Sequence, residues 1–359
     1  MFECSNSDAL HGNLIRKAKI FIQAPWSKKG YQTIKDEIIR FRPDIMHVYN
    51  YWVMLSPSIF CAAKELNITT VLRLPNYRLA CPGGMLMRNT NVCKLCIGKN
   101  PWRVIWYRCY RNSLLGSIAR YRMHKKCEKK YVWQNDVDAY IAISEFGKNI
   151  FLSAGLPENK LYVKPNFMAD PLDGQIPTQQ KQMAIFVGRL SPEKGLKTLI
   201  HAWQKIDFPL LIVGDGTQLN ELKTFAPPNV RFIGQKSHAE CLNLISKSKF
   251  MIFPSECYEG FGLSLLEAMA HGKAVIASGL GPRRELVDNG TTGLLYKAGD
   301  VDDLRKNALV FINNPQLCFK MGKSARLRYL EKYTPEINYK QLMLIYEQAI
   351  AKNNTFNHV

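Results

Sequence analysis

Phe250-Met-Ile-Phe253, stopped by Pro254, and then Glu259-Gly-Phe-Gly-Leu-Ser-Leu-Leu-Glu267 decide how this chain folds. The order is a buried apolar strand, a glycine-bearing turn and the start of an apolar helix. In a parallel α/β sheet such a turn lies at the carboxyl end of a strand, where ligands bind. Glycines let backbone N–H groups approach a ligand closely, and a helix N-terminus adds positive potential. Carboxylates eight positions apart can then accept hydrogen bonds from hydroxyls along one extended ligand. The spacing does not favour the paired carboxylates of a glycosidase. Those stand about 5–5.5 Å apart in retaining and about 6.5–9.5 Å in inverting enzymes, whereas eight helical residues span about 12 Å, and the first part of this stretch is loop.

Moving outward, Val187-Gly-Arg-Leu-Ser-Pro-Glu-Lys-Gly195 joins another apolar strand to a helix. A glycine turn before a helix N-terminus is an anion site; Arg189 adds a fork for phosphate oxygens and Lys194 a point charge. Strands are predicted at 184–187, 210–213, 230–233, 250–253, 274–277 and 293–296, with helices near 195–205, 217–225, 238–247, 262–271, 283–288 and 302–312. That alternation describes a Rossmann-like domain. Strand-like runs at 44–48, 69–72 and 139–143, with helical patterns at 58–66 and 146–153, predict a second doubly wound sheet in the first half. Lys164-Pro-Asn-Phe-Met-Ala-Asp-Pro171 and the polar residues to Gln182 read as a linker. The expected domains are 1–167 and 168–334, with the amphipathic tail 335–352 returning to the first. Asp136-Val-Asp138 has a metal-binding D-x-D spelling but leads straight into a buried strand, so it is read as structural.

The E-x7-E pair, with Gly188-Arg189-x4-Lys194 upstream, resembles retaining glycosyltransferases of family 4, which have the GT-B fold. The resemblance runs from about residue 40 to the end and is strongest over 183–300. It implies two Rossmann-like, doubly wound parallel-sheet domains facing a cleft. It implies Glu267 on the ribose of a UDP- or GDP-sugar. Glu259 and the backbone of Gly260, Phe261, Gly262 and Leu263 would hold the sugar and diphosphate. Gly188, Arg189 and Lys194 would meet the diphosphate, and Gly234 and Gln235 would lie near the base. The acceptor would be a glycan or lipid-linked saccharide, with no metal required for catalysis.

The sequence departs from that pattern twice. No strand and glycine loop is visible before His47, so an N-terminal truncation is expected. Val71-Leu-Arg-Leu-Pro-Asn-Tyr77 has Pro75 where the family usually has a histidine that contacts the donor sugar. Both departures support a rival reading, a catalytically impaired nucleotide-sugar binder.

The chain has 359 residues and a net charge of +20. Its size suits two domains, and its charge favours anionic partners. Between Lys99 and Lys130 ten basic residues meet one acid, Glu128, interleaved with Trp102, Trp106, Tyr107, Tyr110 and Tyr121. The segment reads as a basic, aromatic helical region after Pro101, suited to an anionic membrane surface or to a solvated helix face. No zinc-finger, RNP or helix-turn-helix signature accompanies the charge, so nucleic acid is not the expected partner. No run is long and apolar enough for a membrane span, and no secretory signal is visible. The expected location is cytoplasmic, peripheral on the inner face of the plasma membrane. Among ten cysteines, Cys93-Lys-Leu-Cys96 with Cys81 and Cys109 has the composition of a structural zinc site.

Overall fold

A computed structural model of the chain describes residues 20–175 and 182–356. The stretch before His47, where a strand and glycine loop are expected to be missing, is described only from residue 20, and it holds helix Lys28–Phe41; most of the polar linker run lies outside the described residues. The chain forms two compact units, one from residues up to Leu86, Cys93–Lys164 and Lys340 onward, the other from Met87–Val92 and Pro165–Tyr339.

The first unit is built on a parallel sheet of β1 (Ile45–Val48), β2 (Thr69–Leu74), β5 (Ala139–Ala142) and β6 (Leu161–Val163), in that order. Every residue of β5 is buried, as expected of a parallel strand covered on both faces. The strands β3 (Met87–Arg88) and β4 (Asn91–Val92) form a short hairpin. The helix Pro335–Phe356 covers one face of the first sheet, where Ile345 and Ala349 pack on Val71, Ala139 and Ile141. Asp138 is structural, as its sequence context predicts: its carboxylate accepts from the Thr70 amide at 2.8 Å, tying β2 to β5.

The basic segment is not one helix. Arg103–Trp106 and Leu114–Lys129 are separate, and Arg108, Arg111 and Asn112 between them take left-handed backbone angles. Two of its members are also inside: Tyr110 is buried against Trp52, and Arg120 donates to the carbonyls of Pro82 and Arg78.

The second unit has six parallel strands, β7 (Ala184–Val187), β8 (Leu210–Val213), β9 (Val230–Phe232), β10 (Phe250–Phe253), β11 (Ala274–Ser278) and β12 (Gly293–Tyr296). Their order is β12-β11-β10-β7-β8-β9. β10 and β7 are therefore neighbours, so the turns after them share one edge.

Helix Pro315–Lys332 has no counterpart among the predicted elements, and its start signals were present. Asn314 caps it by accepting from the Leu317 amide at 3.0 Å, and Pro315 occupies the first turn. Arg326 on this helix grips Asp170 through two bonds of 2.6 and 2.7 Å. Those bonds, with amides of Leu172 and Gly174, hold the Asp170 carboxyl at about 2, despite the opposing effect of burial. A depressed carboxyl stabilises the fold above its unfolded value and loses that contribution as pH falls through the folded value. Wild-type stability is therefore expected to drop between about pH 4 and pH 2, and Asp170→Asn to flatten that limb in an acid-unfolding series. An unchanged acid limb in the variant would count against this pair.

Candidate functional site

The turns after β7 and β10 meet through contacts that require glycine. Gly195 has φ +67°, and a Cβ there would lie 2.1 Å from the Pro254 carbonyl oxygen. The Glu256 amide donates to the Glu193 carbonyl at 2.9 Å, and Thr198 Oγ1 donates to the Glu256 carboxylate at 2.5 Å. The two turns are thus one construction. The turn after β10 ends at Gly262, φ +104°, from which helix Leu263–Ala270 begins.

Lys194 and Glu259 come together here, Nζ to Oε1 at 2.6 Å, with side chains 17% and 18% exposed. Ser255 Oγ donates to the same carboxylate oxygen at 2.8 Å. Burial works to raise the Glu259 carboxyl, but Lys194, Ser255 and Arg283 outweigh it and hold it below its usual value. Glu259 is therefore an anion that fixes a lysine, and Lys194 is an ammonium already in position.

Arg283 escaped the sequence reading. It is fully buried, donating from Nη2 to the carbonyls of Ser255 (2.8 Å) and Cys257 (3.0 Å) and from Nε to Ser278 (2.9 Å). It pins the carbonyls of the Glu259 turn inward. Beside Arg284 in a four-residue helix it reads as a solvated charge, and no sequence signal separates the two.

Arg189 is not gathered with Lys194 and Glu259 in an ion pair. Its side chain is 76% exposed and lies 3.4 Å from Glu193 Oε1. Glu267 lies in helix Leu263–Ala270 and meets His238 Nε2 at 2.9 Å. His238 opens helix His238–Lys247, capped by Ser237 and Glu240, so it was findable from Ser237-His-Ala-Glu240 just after Gln235. Gly234 accepts from the Gly214 amide at 2.9 Å, joining the ends of β8 and β9, and Gln235 beside it is exposed. Phe261 is buried edge-on to Tyr333, Gly260 is half-buried, and Leu263 is exposed. Gly188 carries the turn out of β7 and donates to the Val213 carbonyl at 3.0 Å.

The structural zinc expected on Cys81, Cys93, Cys96 and Cys109 is not supported. Among the described residues no group of three or more His, Cys, Asp or Glu side chains is placed to hold a metal ion. Only one gap is tight; Cys81 lies in a turn after Tyr77 and Cys109 beyond helix Arg103–Trp106.

Residues 173–328 match the family model for glycosyl transferases group 1. An uncharacterized glycosyltransferase of Methanocaldococcus jannaschii is 33% identical over 168 residues, 46% of this chain and 47% of that protein. The D-rhamnosyltransferase WbpZ of Pseudomonas aeruginosa is 34% identical over 156 residues, 42% and 41% of the two chains. The chain thus spans about half or less of the length of these curated relatives. Among solved structures, Anabaena HepE in complex with UDP matches with a TM-score of 0.67 at 18% identity, covering 88% of this chain and 82% of that one. A glycosyltransferase from Rickettsia africae gives 0.69 at 17% identity, covering 98% and 84%. The fold is GT-B. In this GT-B chain the sequence matches fall on the second unit, where Lys194, Glu259 and Glu267 are placed.

Proposed function

We propose that the chain is an anomer-retaining glycosyltransferase that moves a sugar from a UDP- or GDP-sugar to a glycan or lipid-linked saccharide in surface polysaccharide assembly. The Lys194–Glu259 pair at the joined ends of β7 and β10 carries this reading. The bond from the anomeric carbon to the diphosphate oxygen breaks, and the acceptor oxygen bonds to that carbon on the same face. A diphosphate oxygen takes the acceptor proton, and nucleoside diphosphate leaves. Negative charge grows on the diphosphate as the bond breaks, so Lys194 and the amides at Gly260–Leu263 stabilise the transition state more than the ground state. Glu259 positions Lys194 and the sugar, Glu267 and His238 face the ribose, Gly188 and Arg189 line the approach of the diphosphate, and Gly234 and Gln235 lie beside the base. No metal is required in this scheme.

The test is release of nucleoside diphosphate when a UDP- or GDP-sugar is mixed with an acceptor, with the product anomer read by NMR. Retention with turnover supports the proposal. Nucleotide binding without turnover on any acceptor would favour the impaired binder, and an inverted product would sink the retaining mechanism.

The proposed setting is the cytoplasmic face of a membrane carrying anionic lipid. Trp102, Trp106, Tyr107, Leu114 and Leu115 are all exposed, Trp106 at 76%. They share the segment where ten bases face one acid. Interfacial aromatics with surrounding cations suit an anionic bilayer. Among the described residues no helix is long and apolar enough to cross one. Trp102→Ala/Trp106→Ala is expected to abolish flotation with phosphatidylglycerol vesicles at low salt. Flotation equal to wild type would contradict this surface.

A further inference from the structure

The exposed aromatics of the basic segment do more than decorate a surface; they wall a groove. Trp102, Ile105 and Trp106 fall on one side of the short helix Arg103–Trp106, three and four positions apart. The other side of that helix is packed, with Val104 buried. The chain then turns through Arg108, Arg111 and Asn112 in left-handed conformations. It enters helix Leu114–Lys129, where Ser113 caps the start by accepting from the Gly116 amide at 3.1 Å. Leu114 and Tyr121, seven positions apart, lie on one face of this second helix. With Arg108 they and the first three side chains line an open groove of about 530 Å³.

The lining is sorted by chemistry. Five of the six residues are aromatic or aliphatic, and the sixth is the exposed guanidinium of Arg108. Arg103 adds a second cation beside the groove, 5.2 Å from the Trp102 ring. No acid lines it. Glu128, the one acid of the segment, lies two turns beyond Tyr121 and is paired with Lys125. Such a volume falls in the range of small-ligand sites, about 300–1,000 Å³. From Leu114 to Tyr121 the helix rises about 10 Å, room for a segment of one hydrocarbon chain laid along it. Apolar walls call for an apolar chain, and the guanidinium calls for an anion on the same molecule. A second copy of this chain fits poorly, because it would bring the same ten bases against their own kind.

We propose that this groove seats the chain of a single-chain lipid phosphate, with Arg108 on the phosphate, and that this lipid is the carrier of the acceptor saccharide. The groove stands on the geometry of the first unit; naming its occupant as the acceptor's carrier rests on the proposed function.

The experiment is calorimetric titration of the full chain in vesicle-free buffer with four soluble probes. They are farnesyl phosphate below its micellar concentration, farnesol, methyl phosphate, and dihexanoyl phosphatidylglycerol as a two-chain bilayer lipid. Farnesyl phosphate is expected to bind one per chain, about tenfold more tightly than farnesol, as one charge-assisted contact implies. It should bind at least about a hundredfold more tightly than methyl phosphate, as burying about four methylene groups implies. Arg108→Asn should bring farnesyl phosphate to the farnesol level, since asparagine tolerates the left-handed backbone there. Leu114→Asp suits the first turn of a helix but puts a carboxylate in the groove, and should cost at least about tenfold. Both side chains are exposed, so the melting temperature without lipid should not move. Farnesyl phosphate binding no tighter than methyl phosphate, or binding that survives both variants, overturns the groove. Equal affinity for dihexanoyl phosphatidylglycerol would hand it to bilayer lipid and overturn the carrier. A lipid-free dimer broken by Leu114→Asp would hand it to a second copy, with the same consequence. If UDP fails to raise the melting temperature, the donor reading falls and the carrier's name with it, while the lipid arms still decide the groove.

Discussion

Lys194→Ala is expected to lower turnover by about 10²–10³-fold, the loss of roughly 3–4 kcal/mol of transition-state stabilisation seen when one preorganised donor to a developing oxyanion is removed. The lysine is held 2.6 Å from Glu259 in a setting where both side chains are largely withdrawn from water. Little reorganisation is therefore needed when charge develops on the leaving diphosphate. The substitution also removes the principal charge that lowers Glu259, so that carboxyl should titrate higher than in the wild type. Steady-state rates of nucleoside diphosphate release check this. A fall in kcat larger than the rise in KM is the expected pattern, because the contact strengthens in the transition state. A variant with unchanged kcat would remove Lys194 from the mechanism.

The second large effect is on stability. Arg283→Met should destabilise the second unit by about 3 kcal/mol or more, because three charged hydrogen bonds disappear and the carbonyls of Ser255, Cys257 and Ser278 lose a buried donor. For a unit of this size that corresponds to a melting temperature lower by roughly 6–12 °C. Calorimetry measures it directly. The same change releases the carbonyls on either side of Glu256, so nucleotide affinity should fall with stability. A melting temperature within about 2 °C of wild type would show that the guanidinium is dispensable.

The contrast between Arg283 and its surroundings shows what the sequence could reveal. Phe250–Phe253 and Ala274–Ser278 are wholly buried parallel strands, which read as continuous apolar runs bounded by Pro254 and Gly279. The neighbouring turns carry Gly195 and Gly262 where the backbone needs them, so these two turns were legible along with the fold. β6 was not, because Leu-Tyr-Val is too short to show a period. Helix Pro315–Lys332 was missed despite its Asn-Pro start, because its buried face mixes Cys318, Gly322 and Arg326 with apolar residues. The bend between Trp106 and Leu114 rests on left-handed Arg108, Arg111 and Asn112, where no glycine announces a break. The pairing of Lys194 with Glu259, 65 residues away, and the burial of Arg283 depend on the adjacency of β7 and β10, which only tertiary structure supplies.

Thermal unfolding of the full chain with UDP, GDP and ADP, each alone and as a sugar conjugate, tests the nucleotide-sugar site most directly. A ligand that binds only the folded state, at about 100 times its dissociation constant, adds roughly 2.7 kcal/mol. The expected result is a raised melting temperature with the UDP or the GDP family, diminished in Lys194→Ala and Glu267→Ala. No shift with any nucleotide would contradict the donor site assigned to the ends of β7 and β10.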